Sequence, residues 1–114
     1  MLKVKHVSGG HKNITLQIHG EAPGAHLEAE TIETGEKSLR LESAIWVVRE
    51  KLGIELRWSD EEPLIFMESR NTVRFDIGLH SPKEWDGKLL LMTHNWDKPD
   101  DEDKQFLIVL DFDK

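Results

Sequence analysis

The chain has 114 residues, 38% of them hydrophobic and 32% charged, with a net charge of −7, six histidines and no cysteine. That length suffices for a core without covalent staples, and the missing cysteine excludes disulfides, thiolate metal sites and a thiol nucleophile. The acidic balance argues against a protein that tracks nucleic-acid phosphates, and no apolar run reaches the length of a signal peptide or a membrane span.

Taken in order, Leu2 to Val7 alternates like a half-buried strand, Ser8-Gly9-Gly10-His11-Lys12 turns, and Asn13 to His19 alternates again with Ile14, Leu16 and Ile18 inward. The pair reads as a β-hairpin. Gly20 to Gly24 breaks the pattern. His26 to Ile32 reads as a third strand, although its glutamates and alanines would also suit a helix. Ser38 to Gly53 is expected to be the one long amphipathic helix. Leu41, Ala44, Ile45, Val48 and Leu52 fall on one helical stripe, Ser38 offers an N-cap and Gly53 a C-terminal stop.

Beyond it, Ile54 to Trp58 alternates and Ser59-Asp60-Glu61-Glu62-Pro63 turns. Leu64 to Met67 is apolar on both sides, and Thr72 to Ile77 alternates Val73, Phe75 and Ile77 against Arg74 and Asp76. Ser81-Pro82-Lys83-Glu84 has the signals of one short helical turn. Leu89 to Thr93 is a second buried run, Asn95 to Asp103 an acidic loop, and Phe106 to Phe112 a closing strand with Phe106, Ile108, Leu110 and Phe112 on one face. Loops this short imply antiparallel neighbours. The expectation is a single α+β domain over residues 1–114: a bent, mostly antiparallel sheet of about eight strands with the long helix packed on one face. The alternative is a small, partly open barrel plugged by that helix.

The sequence is poor in catalytic signatures. It has no Gly-x-Ser-x-Gly elbow, no phosphate-cradling loop and no tyrosine. His19 with His26, or His80 with His94 and a carboxylate from Asp76 or Asp97, could hold a metal only if brought together, and no recognised ligand spacing joins them. No cofactor is expected. The most distinctive stretch is Trp96-Asp97-Lys98-Pro99-Asp100-Asp101-Glu102-Asp103, where an aromatic stands beside a dense acidic run without the spacing of a calcium loop.

Such a segment suits docking on a basic partner, with Trp96 as the anchor and Asp97, Asp100, Asp101, Glu102 and Asp103 steering the approach. Asp60, Glu61 and Glu62 are expected to extend that surface, and Trp85 to add a second aromatic. The function this implies is a small cytoplasmic protein-binding module that neutralises a basic protein, such as a toxin or a nucleic-acid-acting enzyme, in the manner of an immunity protein, antitoxin or inhibitor. It would make no direct contact with nucleic acid or membrane. The alternatives are a small enzyme or metal-binding barrel using the histidines, and an accessory subunit of an oligomer.

Overall fold

The computed structural model describes residues 2–8, 12–21, 30–48, 53–94 and 105–114. Within them lie nine strands: β1 (Leu2–Ser8), β2 (Asn13–Glu21), β3 (Glu30–Glu33), β4 (Arg40–Val48), β5 (Gly53–Arg57), β6 (Pro63–Glu68), β7 (Arg70–His80), β8 (Lys88–His94) and β9 (Gln105–Asp113). They form a five-stranded sheet in the order β1-β2-β9-β4-β7 and a four-stranded sheet in the order β3-β8-β5-β6. Every pairing is antiparallel.

The pairings β2 with β9, β3 with β8, β4 with β7 and β5 with β6 make the chain one long double-stranded ribbon, whose tip is the turn at residues 58–62. Rolling that ribbon brings β4 against β9 and β5 against β8, which completes the two sheets. This is the strand order of a jelly roll, with β1 added at one edge.

The α+β expectation is therefore corrected to an all-β sandwich, and the alternative of a helix-plugged barrel goes with it. No helix is found among the described residues, and residues 40–48 of the expected helix are strand β4. The physical reason lies in a bulge and in the second face of the strand. Pairing slips between Leu41 and Ser43, so the inward residues run Leu41, Ala44, Trp46, Val48. The extra residue imitates a helical step, and apolar Ile45 on the outward side completes the false stripe. Of the rest of the expected helix, Ser38 and Leu39 precede β4, Gly53 begins β5, and residues 49–52 lie outside the described residues. So do residues 26–29 of the expected third strand, whose remainder begins β3. At Ser81 to Glu84 the chain makes a turn at Lys83 and Glu84, not a helix.

Between the sheets, Leu16, Ile18, Leu41, Ile108, Leu110 and Phe112 from one side meet Ile54, Leu56, Met67, Leu89 and Leu91 from the other, all fully or almost fully buried. Each such side chain contributes roughly 1.5–3 kcal/mol on leaving water. Trp58 and Trp85 join this core edge to face, ring centroids 5.0 Å apart. The Trp85 indole N–H donates to the carbonyls of Trp58 (2.9 Å) and Lys88 (3.0 Å), so Trp85 is a core residue and not a surface anchor.

The two ends of the sandwich differ. At one, the β3–β4 and β7–β8 corners lock together: Thr34 donates through both its backbone N–H and its hydroxyl to the Gly87 carbonyl (3.0 and 2.7 Å). Gly87 sits at φ +82 with the Glu36 carbonyl where a Cβ would stand, so any side chain would be both strained and obstructed. The other end is where β8 finishes at His94 and β9 starts at Gln105.

Candidate functional site

The outer face of the five-stranded sheet is the surface that sequence alternation alone would make polar. Pairing registers arrange its outward residues in rows across β2, β9, β4 and β7. Gln17, Val109, Ile45 and Thr72 make one row, and His19, Leu107, Val47 and Arg70 the next. The middle of both rows is apolar: Ile45 and Val47 are each 47% exposed, Leu107 is 46% exposed, and Val109 is half-buried. A shallow depression of about 250 Å³ lies among His19, Val47, Phe106 and Leu107. Exposed Arg70 and His19 stand at the sides of this patch, and exposed Lys5 on β1 flanks Gln17.

The other half of the face is polar. Thr15, Asp111, Ser43 and Arg74 form the third row. The Asp111 carboxylate accepts from the hydroxyls of Thr15 (2.6 Å) and Ser43 (3.1 Å). Beyond it, Arg40 donates to Asp113 and to Glu42, both at 2.6 Å. A groove of about 620 Å³ runs over Thr15, Glu42, Ser43, Arg74, Asp111 and Asp113. The hydroxyls of Thr15 and Ser43 are committed to a carboxylate, not to an imidazole. His19 lies four residues along β2 from Thr15, about 13 Å away at the rise of a strand, so these two do not form a hydroxyl–imidazole pair of the kind that makes a nucleophile.

Two adjacent strands give this face its character. β4 reads Ala44-Ile45-Trp46-Val47-Val48 and β9 reads Phe106-Leu107-Ile108-Val109-Leu110, each an unbroken apolar run. Such runs belong to strands covered on both faces, yet among the described residues only the inner face is covered.

Several sequence-predicted residues fall elsewhere. Trp96, Asp97, Asp100, Asp101, Glu102 and Asp103 lie outside the described residues. Asp60, Glu61 and Glu62 are exposed in the β5–β6 turn, held by Trp58 N–H to Glu62 carbonyl (2.9 Å) and Arg57 Nη2 to Asp60 carbonyl (2.7 Å). That turn is at the opposite end of β5 from His94, which pairs with Gly53, while Arg57 pairs with Leu90. The structure therefore does not bring Asp60, Glu61 and Glu62 to the end from which residues 95–104 leave. His80 and His94 likewise end different strands of different sheets, Asp76 is exposed, and His26 lies outside the described residues. Among the described residues, no group of three or more histidine or carboxylate side chains could hold a metal ion. No helix among them is long and apolar enough to cross a membrane.

Sequence reasoning missed Ile45, Val47, Leu107 and Val109. The signal was there, in apolar runs longer than alternation requires. Compared with known proteins, the chain matches no family model, no curated protein and no solved structure.

Proposed function

We propose that this chain is a protein-binding module that works by docking the outer face of its five-stranded sheet on another protein surface. The observation that carries the reading is the pair of adjacent central strands, β4 and β9, apolar on both faces and, among the described residues, covered on one. An apolar centre with arginine, histidine and hydroxyl side chains around it is the arrangement of an interface core and its rim. A cytoplasmic setting belongs to the same proposal and agrees with a sequence free of cysteine.

The test compares wild type with the Val47→Asp/Leu107→Asp variant in capture of proteins from a lysate of the source organism. Both positions point to solvent, so the variant keeps its core, and a urea midpoint close to wild type confirms it. Loss of the captured proteins is the expected result; identical capture by both chains contradicts the reading.

A second reading, the neutralisation of a basic partner, draws on one placement. Leu107 stands two residues beyond Gln105, so the sequence from Trp96 to Asp103 joins the chain beside the apolar patch. Changing Asp100, Asp101, Glu102 and Asp103 together to serine would then abolish capture of a basic protein, and capture unchanged by that variant removes the acidic segment from the account.

A further inference from the structure

On the reading that this face is a docking surface, we propose that its occupant is a second copy of the same chain. The copies pack face to face about a two-fold axis that runs along the strands between β9 and β4. For two identical faces to point at each other, the axis must lie in the plane between them, which leaves two simple choices. An axis across the strands lays each strand on its own reverse. Set midway between the two apolar rows, it matches Leu107 with Val109 and Val47 with Ile45 but puts Asp111 opposite the second copy's Gln105 and not beside its Arg74; with the Gln17 row on itself, it presses Leu107 onto the second copy's Asp111 and Arg70 onto its Arg74. That buries a carboxylate against a leucine and sets like charges together, and both are unfavourable.

An axis along the strands lays β9 on β4 and β2 on β7 of the second copy. Leu107 then meets Val47, Val109 meets Ile45, and the two-fold repeats both contacts, so the apolar residues of both copies form one continuous layer. Around it, Thr15 faces Arg74, Gln17 faces Thr72 and His19 faces Arg70, and the second copy's Arg74 comes beside the Asp111 carboxylate that Thr15 already holds. Apolar meets apolar, and a guanidinium meets a carboxylate. Packing of this kind, with strands nearly aligned, is how sheets stack in sandwiches.

The size also fits. With that axis β2, β9, β4 and β7 overlap and β1 does not, so four strands about 4.8 Å apart and up to about nine residues long at about 3.3 Å each span roughly 19 by 30 Å, or about 570 Å² before side-chain relief. Specific interfaces at the small end of the usual range take about 600 Å² from each partner.

Charge gives this occupant a signature. Each copy carries −7, so the apolar contact forms against net repulsion, and added salt strengthens it. A basic partner steered by acidic residues would show the opposite sign.

Sedimentation velocity across protein and salt concentrations tests the proposal. Wild type is expected to pass from monomer to dimer as protein concentration rises, with a larger dimer fraction at high salt. Val47→Lys alone and Leu107→Glu alone should each lose the dimer. Mixed together they should form it again, because only an axis along the strands sets the new lysine against the new glutamate while the other half of the interface keeps its native Leu107–Val47 contact. A mixture that stays monomeric overturns the axis. Wild type that is monomeric at every concentration overturns the second copy; if the Val47→Asp/Leu107→Asp variant still loses capture from the lysate, the docking face stands with another occupant, and if capture is unchanged both fail.

Discussion

The two outer faces of the sandwich hold comparable apolar side chains and arrange them differently. On the four-stranded sheet, Leu90 and Met92 of β8 and Phe66 of β6 point outward, but β5 runs between them and carries Glu55 and Arg57. Arg57 donates to Glu55 at 3.3 Å, His94 lies 3.8 Å from the same carboxylate, and Lys88 reaches Glu33 at 4.0 Å. Phe66 packs against the His94 ring, centroids 5.4 Å apart, and its ring fills the space over Gly53. On the five-stranded sheet the two apolar strands are neighbours, and the paired carboxylates Asp111 and Asp113 collect at one end. The lesson is one of strand order. A charged strand between two apolar ones divides the apolar surface into separate pieces, even with Phe66 49% exposed, whereas two adjacent apolar strands leave one continuous patch.

The largest effect expected from dissecting that contrast is across a single strand. Leu110→Ala, inside the sandwich on β9, should cost about 2–5 kcal/mol in urea unfolding of the dilute protein. Next comes conversion of one face into the other. Glu55→Leu with Arg57→Leu makes the outer surface of the four-stranded sheet continuous and apolar, and should give the protein a second mode of self-association in sedimentation that survives Val47→Asp/Leu107→Asp. A protein that gains no such mode would mean that strand order does not control exposure here. Asp111→Asn should cost about 1 kcal/mol, because an amide cannot accept from both hydroxyls as the carboxylate does, without altering the core. The smallest change is for Leu107→Ala, three residues from Leu110 but outward: within about 0.5 kcal/mol of wild type under the same dilute conditions, since solvent already reaches the side chain. A cost near that of Leu110→Ala would mean the outer face is buried in the isolated chain.

Much of the strand pattern was legible because it rests on alternation: β2, β5, β8 and β9 fall within a few residues of their sequence-based bounds. What could not be read was β4, and the cause is the candidate site itself. Ile45 and Val47 break alternation because they are apolar where a solvent-facing residue would ordinarily be polar, and a bulge beside Leu41 shifts the rest of the strand into a helical rhythm. Ile77 shows the same limit on the edge strand. It alternates with Phe75 in sequence, yet Phe75 to Gly78 of β7 stand opposite Glu42 alone, Gly78 takes φ +75, and Ile77 is left 84% exposed. Which strands become neighbours is set by pairings far apart in sequence, such as Ile14 with Phe112, and no local pattern encodes them.

The central claim is that the five-stranded face meets a second copy while the four-stranded face stays in water. Paramagnetic relaxation of methyl signals by a soluble relaxation agent, followed as protein concentration rises, reads both faces at once. The account predicts that the methyl groups of Ile45, Val47, Leu107 and Val109 lose their relaxation enhancement together as the dimer forms, while those of Leu90 and Met92 keep theirs. Equal enhancement of both sets at every concentration, or protection of Leu90 and Met92 alone, would contradict it.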